Sequence, residues 1–191
     1  GCGKPISWRY PFVEALTGGL ALLMVYRFKW QPEALIYFVL FALLLALSVI
    51  DIATFRLPDP IVLVGALFGL GLNLLLRPQF LLPMITGAGV GWGLMLFMYG
   101  VGWLMFRKET LGWGDIKLGG VIGLYLGPAY TAGMFAFAIL LGAVIGGAIL
   151  FFSRHGWGSR IPFGPYLAAG AFVSHLWGDV VWRWYLGFIY S

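Results

Sequence analysis

The chain has 191 residues, of which 61% are hydrophobic and only 10% are charged, against roughly 25% charged in an ordinary soluble domain. Its mean hydropathy is +0.94; no soluble fold of this size can bury that much apolar surface, so the composition excludes a soluble domain. The long unbroken apolar runs exclude an alternating barrel, and the net charge of +5 reports orientation in a bilayer rather than nucleic-acid binding.

The expected fold is therefore all-α and polytopic, because a backbone without water must satisfy its own hydrogen bonds. About seven spans are predicted. The first runs near Pro11 to Tyr26, with Pro11 suited to a first helical turn. The second covers about Glu33 to Ile50, and a loop from Asp51 to Asp59 follows. The third runs from about Pro60 to Leu76, closed by Arg77-Pro78, and the fourth from about Leu81 to Phe106. The fifth is short, about Asp115 to Leu126, because Gly127-Pro128 stops it. The sixth extends to Phe152, and the seventh spans about Ile161 to Trp177. The residues from Asp179 to Tyr190, rich in Trp and Tyr, read as an interfacial aromatic belt or as the end of the last span.

Seven spans place eight of the 12 basic residues on one side: Lys4, Arg9, Arg56, Arg107, Lys108, Lys117, Arg154 and Arg160. The other side receives Arg27, Lys29, Arg77 and Arg183. That asymmetry predicts a cytoplasmic N-terminus and cytoplasmic Asp51 and Asp115. Glycines spaced by four predict close helix packing: Gly65 with Gly69, Gly89 with Gly93, Gly119 with Gly123 and Gly127, and Gly142 with Gly146. Gly112 and Gly114 are different, because they free the backbone just before an acid.

Two acids stand where acids are costly. Asp51 ends one apolar run and Asp115 opens another, and an ionisable group in a membrane span marks function by default. Two carboxyls that share a proton can hydrolyse an amide. One takes a proton from water while the other hydrogen-bonds the scissile carbonyl. Such a pair titrates as a unit, so neither role belongs to one residue. Taken singly, each acid also reads as a helix cap or a headgroup contact. Asp59, between Pro58 and Pro60, reads as a turn or cap residue. Lys117 either faces a nearby carboxylate or snorkels to headgroups. Ser7, Ser48 and Ser174 lack a His–Asp arrangement, and His155 and His175 are isolated. A competing reading is a proton- or cation-coupled transporter that uses Asp51 and Asp115 as an ion site.

Four motifs in order carry a resemblance. Gly112-Trp113-Gly114-Asp115-Ile116-Lys117-Leu118 resembles the G-x-G-D-x-K-L signature of bacterial type IV prepilin peptidases. Asp51 with Pro58-Asp59 resembles their first aspartate motif. The stretch from Pro5 to Glu14 resembles the segment after their zinc-binding cysteines, and Ile161 to Leu167 resembles the P-F-G-P segment that opens their last span. The resemblance implies a GxGD-type intramembrane aspartyl protease, distantly similar to archaeal preflagellin peptidases and to presenilin. Its implied substrates are type IV prepilins or type II secretion pseudopilins, cut after a glycine at the cytoplasmic face of the bacterial inner membrane. The catalytic acids carry over to Asp51 and Asp115, with Asp59, Gly112, Gly114 and Lys117 in support.

Many bacterial members also methylate the new N-terminal residue with S-adenosylmethionine; proteolysis itself needs no cofactor. The resemblance places Cys2 at the last cysteine of a zinc module of Cys-x-x-Cys pairs, whose other ligands this chain lacks. On that reading residues 1–10 are the remnant of a cytoplasmic N-terminal segment and 11–191 form a transmembrane aspartyl peptidase domain. The expected partners are prepilin substrates and membrane lipids, with no nucleic acid.

Overall fold

The structure is a computed structural model that describes residues 8–107, 111–148 and 162–189. Cys2 lies outside them. The described residues form helices and no strands. They are α1 (Arg9–Phe28), α2 (Pro32–Thr54), α3 (Asp59–Leu76), a 3-10 turn (Pro78–Phe80), α4 (Leu81–Phe106), α5 (Trp113–Leu126), α6 (Pro128–Leu141) and α7 (Gly164–Ile189).

Five stretches are long and apolar enough to cross a membrane: Tyr10–Phe28, Pro32–Thr54, Asp59–Leu76, Pro78–Met105 and Pro128–Gly146. The last of these continues α6 through a π-helical turn, Gly142–Gly146. Their outer faces carry large exposed apolar side chains such as Leu63, Leu67, Phe97 and Leu104, as a lipid-facing surface requires. The short α5 has 14 residues, or about 21 Å at 1.5 Å per residue, less than a bilayer core of about 30 Å. It is instead wrapped by its neighbours, packing on α2, α3, α4, α6 and α7. Leu118, Ile122 and Tyr125 of α5 are fully buried.

The core that fixes α5 is assembled from helical periodicity. Ile36, Leu40, Leu44 and Leu47 form one inward stripe on α2, and Met134, Ala138, Leu167 and Ala171 close it from α6 and α7. The Tyr125 hydroxyl donates to the Gly65 carbonyl at 2.8 Å, and a Cβ on Gly69 would collide with the Tyr125 ring. Glycine also lets α4 and α5 touch backbone to backbone. A Cβ on Gly91 would strike the Gly119 carbonyl, and one on Gly87 the Gly123 carbonyl. The expected pair Gly89 and Gly93 instead faces open space. Spacing alone marks both pairs equally; the helix rotation selects Gly87 and Gly91.

Two boundaries differ from expectation. Helix α2 runs through Asp51 to Thr54, so the connection to α3 is only 55–58. Ile52, Ala53 and Thr54 tolerate helix, and Phe55 ends it in the left-handed region with its N–H on the Asp51 carbonyl at 2.8 Å. Pro58 then disfavours helix at Leu57. Helix α7 continues to Ile189, well past Trp177, since no proline follows Pro165 to stop it. Asp179 to Ile189 therefore continue the last helix rather than forming a separate belt.

Candidate active site

The site forms where the C-terminal turn of α2 meets the N-terminal turns of α5 and α7. Asp51 occupies the last turn of α2 and is only 5% exposed. A carboxylate so buried needs a donor. It has one in the Gly164 N–H, which donates to Asp51 Oδ2 at 2.8 Å from 113 positions away in the chain.

Asp115 is the third residue of α5. Its Oδ2 accepts the Gly112 N–H at 3.2 Å, while its own N–H donates to the Gly112 carbonyl at 3.1 Å. This is the reciprocal bonding of a helix start, with an extended Gly112 as N-cap. The cap accounts for one oxygen only. Asp115 Oδ1 is buried and has no hydrogen-bond partner among the described residues. A buried carboxyl oxygen left without a protein partner is one that can hydrogen-bond water or a substrate carbonyl.

The segments that carry the two acids are brought together: α2 packs on α5, and Leu57, in the connection that follows α2, lies against Gly114, next to Asp115. Gly114 makes the approach possible, because a Cβ there would lie 2.8 Å from the Leu57 Cβ. Leu57 of the α2–α3 connection thus rests on the α5 backbone beside Asp115.

Lys117 does not face the dyad. Its Nζ lies 2.8 Å from Asp59 Oδ1, on the exposed side of α5. Asp59 is the first residue of α3, so the pair ties the starts of α3 and α5 together. Headgroup snorkelling is therefore not what engages this ammonium.

Ser48, Ser174 and His175 are engaged elsewhere, and Ser7 and His155 lie outside the described residues. Ser48 Oγ donates to the Leu44 carbonyl and Ser174 Oγ to the Tyr130 carbonyl, both at 2.7 Å. His175 packs among Phe28, Tyr37, Phe41 and Tyr130, with ring centroids 3.8 to 5.8 Å away. At the other end of α3, Arg77 is buried. It donates to Tyr37 Oη at 3.0 Å and to Asn73 Oδ1 from Nε at 3.1 Å, and stacks on Phe80.

Two features escaped the sequence. The amide of Gly164 reaches Asp51 from the far end of the chain, although the motif around it marks the start of a helix. Arg77 reads as a loop residue that closes a span, yet it is one of the buried polar residues of the bundle.

Comparison with known proteins places the site within a family. Residues 38–147 match the model of the type IV leader peptidase family, a stretch that includes both Asp51 and Asp115. Among curated relatives, a prepilin leader peptidase/N-methyltransferase of Aeromonas hydrophila is 36% identical over 97% of this chain and 64% of its own length. Proteins of the same description are 35% identical in Pseudomonas putida, over 95% of this chain and 63% of theirs, and 39% identical in Myxococcus xanthus, over 76% and 44%. The chain thus spans just under two thirds of the length of the first relatives it matches. No solved structure matches it.

Proposed function

The chain belongs to the type IV leader peptidase family, and from that premise we propose that it is an intramembrane aspartic endopeptidase that removes the short basic leader from prepilins or type II secretion pseudopilins. The observation that carries the reading is that Asp51, in the last turn of α2, and Asp115, in the first turn of α5, stand at the same end of the bundle, where α2 packs on α5.

In the proposed reaction one carboxylate of the pair takes a proton from water as the water oxygen attacks the scissile carbonyl carbon. The other carboxyl, protonated, donates to the carbonyl oxygen. Collapse of the tetrahedral intermediate breaks the C–N bond, and the proton gained from water passes to the leaving amine. Asp115 Oδ1, buried and without a protein partner among the described residues, suits either part. Both acids lie near the ends of helices, which on this reading puts them near a bilayer interface. A substrate with a basic leader and a following apolar helix fits that placement. Its helix enters the bilayer laterally and its leader stays in the cytoplasm, the side to which we assign the site from the distribution of Lys and Arg.

N-methylation with S-adenosylmethionine, and zinc held by a cysteine module that includes Cys2, belong to the same proposal. Among the described residues no group of three or more His, Cys, Asp or Glu side chains stands where it could hold a metal ion. No step above is routed through either group.

The test is cleavage of a purified prepilin by the purified chain in detergent, read by the shift of precursor to product and by the new N-terminus. Cleavage after a glycine supports the reading. An uncleaved precursor in the presence of folded wild-type chain overturns it, and ion flux through reconstituted vesicles would then favour the transport alternative.

A further inference from the structure

We propose that Gly164, in the segment Pro162-Phe163-Gly164-Pro165, is a positioning residue for Asp51: its amide holds the carboxylate, and its lack of a side chain makes room for it. The inference rests on the hydrolytic reading above and assigns a part to a motif outside the 38–147 match.

The first turn of α7 leaves one donor spare. Pro165 has no N–H. The amides of Tyr166 and Leu167 both donate to the Phe163 carbonyl at 3.1 Å. The Gly164 N–H remains, and it is the one that bonds Asp51 Oδ2 at 2.8 Å. The positive end of the α7 dipole therefore points at the acid.

The requirement for glycine here is space. Gly127 is the only glycine with positive φ among the described residues, so alanine at 164 meets no backbone strain. Its Cβ would lie 2.8 Å from Asp51 Oδ2 and 3.4 Å from Asp51 Cβ and Cγ. The first distance is shorter than a carbon–oxygen contact allows. The Asp51 backbone is held in α2 by the cap at Phe55, so the carboxyl must turn away from its donor. A displacement of about 1 Å in a reacting group costs on the order of 100-fold in rate.

Gly164→Ala should lower kcat by about that factor and leave KM within about twofold, since the substrate's leader and helix are untouched. Gly170→Ala serves as the packing control on the same helix. Its Cβ would strike the Met134 carbonyl and the Ala138 amide of α6, far from Asp51. It should lower the thermal midpoint yet leave kcat per folded molecule unchanged. The contact is tested separately in the membrane. In a Cys2→Ser background, Asp51→Cys/Gly164→Cys should oxidise to an intramolecular disulfide, because the Cβ separation is close to the roughly 3.5–4.5 Å that such a bond spans.

Wild-type kcat in Gly164→Ala, an equal fall of kcat in Gly170→Ala, or failure of the cysteine pair to cross-link would each overturn the proposal. A wild-type chain that cleaves nothing would overturn the hydrolytic reading instead, while the cross-link would still report the contact.

Discussion

The ammonium of Lys117 lies 2.8 Å from the carboxylate of Asp59, and this pair clips the N-terminal part of α5 to the first turn of α3. Both side chains are substantially exposed, at 45% and 66%. A pair so exposed contributes about 0.2–1 kcal/mol to stability and is screened by salt. Its value to the protein is geometric, because α5 carries Asp115 two residues before Lys117.

From this follows a non-additivity. Lys117→Met and Asp59→Asn should each reduce prepilin cleavage by a similar, modest factor. The double variant should be no worse than either single one, since the second change removes nothing further. Kinetics of the three variants at low salt check this; fully additive losses would assign the two residues separate duties.

Asp51 and Asp115 are expected to be indispensable one by one. A lone carboxyl cannot be base and acid in the same step, so Asp51→Asn or Asp115→Asn should lose at least about 10³-fold in cleavage rate with the fold retained. Single-turnover assays on purified variants provide the measurement. A single variant that works at near wild-type rate removes the dyad from the mechanism.

The orientation is checked by thiol labelling in intact cells, in a Cys2→Ser background. Thr54→Cys and Arg107→Cys lie at the dyad end and should resist a membrane-impermeant maleimide until the inner face is opened. Gln79→Cys, between α3 and α4 at the other end, should label at once. The reverse pattern would place the dyad outside the cytoplasm.

Backbone contact between α4 and α5 makes a stability prediction. Gly123→Ala would drive its Cβ into the Gly87 carbonyl, whereas Gly93→Ala has nothing within 4 Å. Gly123→Ala should cost about 1–3 kcal/mol through overpacking, seen as a lower thermal midpoint in detergent. Gly93→Ala should be neutral or slightly stabilising, because alanine is the better helix former.

Arg77 supplies the complementary case, far from the chemistry. Arg77→Met leaves Asn73 Oδ1 and the Tyr37 hydroxyl without the donors they now have. Hydrogen bonds to a charged group are worth about 1.5–3 kcal/mol, so the thermal midpoint should fall while kcat per folded molecule stays at wild type. A selective loss of kcat would tie this end of the bundle to the active site.

Much of this protein was legible in one dimension, because hydrophobicity and acid placement are properties of composition and order. Apolar runs of span length require helices in a bilayer, and the acids at 51 and 115 stand out because their cost there is high. Gly112 and Gly114 before Asp115 marked a turn into a helix, which the structure begins at Trp113, two residues before the expected Asp115. Tertiary structure decided what depends on helix rotation and on distance through space. Rotation of α4 turns Gly87 and Gly91 toward α5 and leaves Gly89 and Gly93 facing open space, a choice that i+4 spacing cannot make. Packing of α5 against α3 sends Lys117 to Asp59 rather than to the dyad. Docking of α7 against α2 brings the Gly164 amide to Asp51, across 113 positions. No local pattern encodes that contact, since it exists only once several helices have packed.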